Sequence, residues 1–506
     1  MDKKIGIIDL GSNSVRLVIF EIRSNGSFKL VDDISDTVRL SENMINGNCL
    51  NDFAMRKAIK TIKLFKKLCS DSNIPPKSII PVATAAVRKA ENRDYFLKHL
   101  KASTGLSFRL LSGDEEALYV YNAVIHTLDL TEGIIVDIGG GSTEIIKFKD
   151  KSIINYTSIP IGAVVATEEF LEKDSIPPEK LEALEGFIKG ELLKLDWLAG
   201  ESSKLVIGLG GTVRNLAKIH RRMVNYPLEM THNYQMPITD LIAIYSNLKT
   251  LDLEARKKVR GISAKRADII VGGLAILKVL ACFAGAERMI VSGNGLREGV
   301  LFEYLAQGKR PRKFTDVLNY SLDNYMDYYG INRDHAEHVC GIALSLFDQL
   351  KPLHKLGNEE RKLLRVAALL HDIGISVDYY NHHNHSFYII LNSRLNGLTQ
   401  REILLTAAIA ASHSKDKYKD DWEKRYRDML EPNDIKMYKK LAMLLRIAEC
   451  LDRSETGIVK SVECQLASGI ARIKTFCRND AELEISLANE NSEAFKKLFN
   501  KSLVVT

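Results

Sequence analysis

At 506 residues the chain is too long for one ordinary domain, and three or four are expected. Its hydrophobic content of 45% and charged content of 27% are those of a soluble globular protein with ample core. A net charge of +7 is mildly basic and suits a polyanionic ligand, but there is no basic arm or nucleic-acid motif, so nucleic acid is not an expected partner.

The start, Lys3-Lys4-Ile5, runs directly into a predicted strand, which leaves no room for a signal peptide. Residues 3–22 read as a β-hairpin whose turn is Asp9-Leu10-Gly11-Ser12-Asn13-Ser14, with Arg16 on the returning strand. Residues 28–38 read as a third strand. Apolar residues at helical spacing (Ala54, Ala58, Ile62, Phe65, Leu68) predict a helix over 51–69, and Pro75-Pro76 breaks it. Residues 78–84 form a strand, and Ala85 to Arg88 begin another helix. This is α/β grammar.

Ser112 followed by Glu115 is a capping box for an apolar helix over 118–128. With Glu115 committed to the cap, Glu116 is free to point elsewhere. By local rules alone both glutamates merely suit a helix start.

The apolar run 133–136 then feeds Asp137-Ile138-Gly139-Gly140-Gly141-Ser142-Thr143-Glu144. This reads as strand, glycine turn, strand. Three glycines without Cβ atoms let backbone N–H groups approach an anion, and Asp137 and Glu144 stand at the mouth of the same turn. A phosphate cradle flanked by two hard oxygen ligands fits a Mg²⁺-phosphate complex; the alternative is a glycine hairpin with surface acids. Laid over the N-terminal hairpin, Asp9 matches Asp137, Gly11 matches Gly139, Ser14 matches Ser142 and Arg16 matches Glu144. Two copies of one hairpin predict two similar lobes facing each other across a cleft.

A helix is expected over 178–198. Gly208-Leu209-Gly210-Gly211-Thr212 follows a strand and opens another helix, so amides and a helix N-terminus again point one way. The longest apolar run, 269–286, carries Lys278 and Gly272-Gly273 and reads as a buried helix rather than a membrane span. Residues 289–299 are a fourth strand-turn-helix. The basic stretch 308–313 reads as a linker, after which the pattern is all-helical to about 458. The remainder alternates apolar and polar residues (464–466, 470–473, 483–485) and holds a short helix over 492–499, a small α+β unit. The seven cysteines are scattered, odd in number and without CxxC spacing, as expected of reduced thiols in a cytoplasmic protein.

Within the helical region, His338, His371-Asp372 and Asp452 end or line three predicted helices, with His382, His383, His385 and His413 adding imidazoles. The set resembles the HD phosphohydrolase superfamily, in which two histidines and two aspartates hold a divalent metal. The alternative is an HD-like fold kept as a structural or dimerising module.

The hairpin at Asp9 to Ser14, the Ser112 to Ala117 stretch, the Asp137 to Glu144 hairpin and Gly210-Gly211-Thr212 stand in the order seen in the exopolyphosphatase/guanosine pentaphosphate phosphohydrolase (Ppx/GppA) family, long form. The resemblance implies an α/β class with two actin-like (ribonuclease H-like) lobes, residues 1–127 and 128–306, around a cleft. An all-α HD-like domain, 313–458, and a small α+β domain, 459–506, complete the chain. It implies Mg²⁺-assisted attack of water on the terminal phosphoanhydride of inorganic polyphosphate, or of guanosine pentaphosphate. Glu116 resembles the catalytic glutamate that orients the water, Asp137 and Glu144 the metal-holding acids, and Arg88 the clamp on substrate phosphates. Asp9, Gly11, Ser12, Asn13, Ser14, Gly139, Gly140, Gly141, Ser142, Gly210, Gly211 and Thr212 resemble the phosphate cradle. A second divalent metal in the HD-like domain, held by His338, His371, Asp372 and Asp452, and a homodimer are further expectations. The readings kept open are a nucleotide sensor with little turnover and an HD site that is itself the main enzyme.

Overall fold

The computed structural model describes residues 2–42, 44, 49–172, 174–198, 203–306, 316–414 and 421–506. The chain divides into two compact units, Met1–Val317 and Leu318–Thr506. The expected linker at 308–313 lies outside the described residues.

The first unit is built on two sheets of the same design. In the first, strands β1 (Lys3–Leu10), β2 (Ser14–Ile22), β3 (Phe28–Thr37), β4 (Ile79–Ala83) and β5 (Arg109–Leu110) stand in the order β3-β2-β1-β4-β5. The second comprises β6 (Glu132–Ile138), β7 (Thr143–Lys149), β8 (Ser152–Ile159), β9 (Leu205–Leu209), β10 (Tyr234–Pro237) and β11 (Arg288–Val291), ordered β10-β11-β9-β6-β7-β8. Each sheet begins with two antiparallel hairpins, then adds a parallel strand beside the first. The repeat read in the sequence is kept in the register: Asp9 pairs with Arg16, and Asp137 with Glu144. Even the register shifts recur, between Ile19 and Phe20 in one sheet and Lys147 and Phe148 in the other.

Strands β1 and β6 are apolar on both faces because both faces are covered. In β1, Ile8 and Leu10 pack outward under the helices Asp52–Asp71 and Arg93–Thr104, while Ile5 and Ile7 pack inward. The inward side chains join Ile135, Ile146, Ile207 and Ile290 of the second sheet in one shared core. Two helices, Gly113–Ile125 and Leu296–Leu305, supply Val120, Val124, Val300 and Leu301 to that core. The sequence places the second of these helices in the second lobe; the structure packs it against the first lobe's last helix.

Local signals hold closely. Asn51 caps the helix Asp52–Asp71 by accepting from Ala54 N–H at 3.0 Å. The apolar helix Ile270–Phe283 is buried, and its Lys278 donates to Glu185 at 2.9 Å. Among the described residues, no helix is long and apolar enough to cross a membrane. None of the seven cysteines is in a disulfide.

The second unit is helical from Leu318 to Cys450, then forms a three-stranded sheet of β12 (Val459–Ala467), β13 (Ile470–Cys477) and β14 (Ser502–Val505). Residues 483–485, read as strand-like alternation, lie in the helix Glu482–Asn489. Three alternating residues are too few to outweigh the buried positions Ala481, Glu484 and Ala488, which recur at helical spacing.

The crossing of the two central helices leaves no room at Gly299, where a Cβ would stand 2.2 Å from the Tyr119 carbonyl oxygen. Gly299→Ala is expected to cost about 1–3 kcal/mol through overpacking. The measurement is the denaturant midpoint of the first unit's unfolding transition; an unchanged midpoint contradicts a tight crossing.

Candidate active site

The two glycine hairpins meet tip to tip. A Cβ at Gly140 would lie 2.9 Å from Ser12 Cβ, so only glycine permits the approach. Both turns close alike: Gly11 N–H donates to Ser14 O at 3.1 Å, and Gly139 N–H to Ser142 O at 3.0 Å. The N–H groups of Ser12, Asn13, Gly140 and Gly141 make no hydrogen bond within the described chain. The third glycine turn passes from β9 straight into the helix Gly210–Met223 with no side-chain cap. Gly210 has φ +90°, and a Cβ there would stand 2.5 Å from Ile138 O and 3.0 Å from Asp137 Oδ1. Asp137 therefore lies at this helix N-terminus. Asn13 Oδ1 and Thr212 Oγ1 are buried without a partner. Open amides, two orphaned oxygens and a helix start form a cradle for phosphate oxygens.

The capping box forms as expected. Ser112 Oγ accepts from Glu115 N–H at 3.1 Å, and Glu115 accepts from Ser112 N–H at 2.8 Å. Glu115 also pairs with Arg109 at 2.6 Å. Glu116, one residue on, turns the other way and accepts from Arg88 Nη1 at 3.0 Å; Arg88 also donates to Leu111 O at 2.8 Å. Glu144, opposite Asp137 in the ladder, accepts from Ser142 Oγ at 2.8 Å and Ser158 Oγ at 2.9 Å.

Four carboxyl groups, Glu144 buried and Asp9, Glu116 and Asp137 half-buried, lie here within each other's field. Burial pushes Glu116 well above the usual carboxylate range, and Glu144 raises it further against the pull of Arg88. Asp137 is pushed up to about 7 by burial and by Glu144. Burial likewise raises Glu144 and Asp9, moderated by the two serines in the first case and by Arg297 and Arg16 in the second. The donors of these carboxyl groups are hard oxygens. That chemistry fits a divalent cation such as Mg²⁺.

Sequence reasoning named one arginine; the structure gathers more. Arg16 and Arg297 share Asp33, each at 3.3 Å. Burial, with Arg16, Arg297 and Arg266 nearby, pulls Arg214 down to about 9. Burial and Arg16 pull Arg266 down to about 10, and its guanidinium lies over Gly211, where a Cβ would stand 1.9 Å from its Cζ. Mutually repelling guanidinium groups beside open amides are a seat for a polyanion. Their sequence signals were slight: Arg214 two residues after Thr212, Arg297 two after Gly295, and Arg16 at the repeat position opposite Asp9.

In the second unit, His371, Asp372 and Asp452 come together, but His338 stands at the edge, its Nε2 3.9 Å from Asp452 Oδ1. His335, one turn earlier, takes the inner place and donates from Nδ1 to Asp452 Oδ2 at 2.8 Å. His382 and His413 join the group; His383 and His385 are not part of it. Glu449, not singled out from sequence, lies 3.1 Å from His371 Nε2 and 3.2 Å from His335 Nε2.

Two facing lobes of this topology, closing on a carboxylate- and amide-lined phosphate seat, define a phosphatase of actin-like fold. Residues 18–307 match the family model "Ppx/GppA phosphatase family", and residues 317–500 match "Ppx/GppA phosphatase, domain III". The chain belongs to the Ppx/GppA phosphatase family. It is 30% identical over 455 residues to a guanosine-5'-triphosphate,3'-diphosphate pyrophosphatase of Pseudoalteromonas translucida, spanning 88% of this chain and 86% of that one. Among solved structures, the Aquifex aeolicus family member is similar with TM-score 0.52 and 28% identity, over 61% of this chain and 100% of that one. An exopolyphosphatase from Cytophaga hutchinsonii shares the fold with TM-score 0.56 at 22% identity, over 61% of this chain and 99% of that one.

Asp137 titrates near 7 when folded but in the ordinary carboxylate range when unfolded. Its ionisation therefore destabilises the metal-free fold increasingly as pH rises through that window, and fully above it. In metal-free buffer, Asp137→Asn is expected to gain about 1–3 kcal/mol at pH 8 and progressively less toward pH 5. Denaturant midpoints at the two pH values test this; a gain independent of pH rules out the assigned cause.

Proposed function

We propose that the cleft removes the terminal phosphate of linear inorganic polyphosphate, releasing orthophosphate. The observation that carries the reading is Glu116, half-buried, held by Arg88 and set among the carboxylates beside the facing hairpin turns. Its raised proton affinity suits a group that must orient a water and accept its proton at neutral pH. The open amides of Ser12, Asn13, Gly140 and Gly141 and the helix start at Gly210 to Thr212 seat the phosphate to be removed. Arg88, hydrogen-bonded to Glu116, fixes the carboxylate and is the cation proposed to meet phosphate charge. Arg214, Arg266 and Arg297 neutralise the rest of the chain, since loose phosphoryl-transfer transition states depend on positioning and charge rather than covalent help.

Asp137 and Glu144, with Asp9 beside them, are the residues that would hold Mg²⁺. When bound, the ion supplies neutralisation of charge on the phosphate oxygens. Ser142 and Ser158 keep the Glu144 carboxylate in one orientation for that task. Seven cysteines outside any disulfide support a reducing, cytoplasmic setting, and a homodimer is part of the proposal on the symmetry base rate of soluble oligomers.

A second reading, hydrolysis of guanosine pentaphosphate to the tetraphosphate, is favoured by one observation: the Pseudoalteromonas relative named for that substrate is matched over most of both chains. Both substrates present a terminal phosphoanhydride to one cradle.

Phosphate release with Mg²⁺ from long-chain polyphosphate and from guanosine pentaphosphate, measured side by side, separates the readings. Glu116→Gln is expected to lower kcat by about 10²–10⁴-fold with little change in binding. Arg88→Ala is expected to lower kcat by about 10²-fold, because Glu116 loses its orienting partner and the phosphate its cation. A preference for the nucleotide replaces the first reading with the second. Release insensitive to Glu116→Gln overturns the site.

A further inference from the structure

The two glycine turns of the cleft share one backbone plan and differ at one carbonyl. In the first turn, Ser12 O accepts from Ser41 N–H at 3.1 Å, and Asn13 O accepts from Val38 N–H at 3.1 Å and Arg39 N–H at 2.9 Å. In the second, Gly139 O accepts from Ala163 N–H at 2.9 Å, and Gly140 O accepts from Val164 N–H at 3.0 Å and Val165 N–H at 3.2 Å. Gly141 holds the repeat position of Asn13, yet no backbone amide among the described residues reaches its carbonyl. Lys89 Nζ takes that place, donating to Gly141 O at 2.9 Å and to Pro160 O at 3.4 Å.

Lys89 comes from the other lobe. It ends the short helix Ala85–Lys89, which follows β4 of the first sheet. Its neighbour Arg88 holds Glu116, so consecutive residues of one helix serve the acid of the first lobe and the turn of the second. Pro160 begins the loop on which that turn rests: a Cβ at Gly162 would stand 2.5 Å from the Gly140 carbonyl carbon. Among the described residues the Lys89 ammonium has no carboxylate within ion-pair distance, and these two carbonyls are its fixed partners. In a planar trans peptide the N–H points opposite to the C=O. Holding the carbonyls of Gly139, Gly140 and Gly141 from behind therefore aims the N–H groups of Gly140, Gly141 and Ser142, and the last of these depends on Lys89.

We propose that Lys89 is a positioning residue of the phosphate seat, fixing the second glycine turn from across the cleft so that the seat is complete only while the lobes are together; the proposal rests on the reading of the cleft given above. Closing such a turn does not itself require a side chain from the opposite lobe, since the matching carbonyl of the first turn is held by amides of its own lobe. A cross-lobe donor at Gly141 adds a dependence that the first turn lacks. Amides fixed in advance stabilise charge as it develops on the transferred phosphate. A turn free to rotate one peptide loses more in rate than in binding, because small errors of placement act chiefly on the transition state.

The test measures phosphate release by the full-length chain with Mg²⁺, on whichever of polyphosphate and guanosine pentaphosphate it hydrolyses faster, with Glu116→Gln as control. Lys89→Met keeps the length of the side chain and removes the donor; it is expected to lower kcat by about 10–10²-fold and to leave KM within about threefold. Lys89→Gln, too short to reach the carbonyl, is read in the same way if the methionine variant does not fold by circular dichroism. Lys89→Arg restores a donor and is expected to recover kcat to within about threefold of the parent. The slope of log KM against log salt is expected to match the parent in all three, whereas loss of a cation that touches substrate phosphate lowers that slope by about one. Unchanged kcat in Lys89→Met beside Glu116-dependent release overturns the inference alone, as does a raised KM with a lowered salt slope or a failure of Lys89→Arg to rescue. Release insensitive to Glu116→Gln removes the cleft reading and the role of Lys89 with it.

Discussion

The first unit depends on the burial of carboxylates. Asp9, Asp137, Glu144 and Glu116 are withdrawn from water into one cleft, and burial raises all four above their ordinary range. Leaving charges of one sign in such a place is costly unless cations accompany them. The arginines answer part of that need: Arg88 pairs with Glu116, while Arg297 and Arg16 act on Asp9. The arginines in turn crowd one another, as the lowered values of Arg214 and Arg266 show. Acids short of a cation and guanidinium groups short of an anion, side by side, describe a site that a metal-phosphate complex completes.

Holding that frustrated arrangement falls to the apolar frame beneath it. The inward faces of both sheets share one core with the helices Gly113–Ile125 and Leu296–Leu305. Glu116 sits in the first turn of one of these helices, and Arg297 near the start of the other. The same packing that joins the lobes therefore sets an acid and a base at the cleft. Close contact at Gly299 fixes the helix crossing, and contact at Gly140 fixes the distance between the hairpin tips. Hydrophobic burial spread over many side chains thus supports a local electrostatic penalty.

Much of this was legible in the sequence because it rests on local rules. A turn that needs glycine, a capping box and a period of two or 3.6 each leave a mark within ten residues. Hence the turn shared by Asp137 and Glu144, its repeat at Asp9 and Arg16, and the commitment of Glu115 to the helix cap could be read in advance, whereas the role of Glu116 came from the family resemblance. What was not legible is long-range. Arg266 reaches Gly211 from a short 3-10 turn more than fifty positions away, and no local pattern announces it. The helix Leu296–Leu305 looks like part of the second lobe until its partner is known. His338 and His335 lie on one helix, three residues apart, and spacing along the chain did not say which faces Asp372 and Glu449.

That last distinction carries a chemical lesson. The cleft of the first unit offers oxygens alone, which match a hard cation held together with phosphate. The second unit offers four imidazoles and two carboxylates around Asp372, with every imidazole tethered from behind. Tethering matters because an untethered ring would rotate its nitrogen away and rest in a simple ion pair. A packed core histidine satisfies its two nitrogens with two fixed partners, as His354 does with Phe347 O and Leu356 N–H. The histidines around Asp372 satisfy only their outer nitrogens with fixed partners and turn the inner ones on one another and on shared carboxylates.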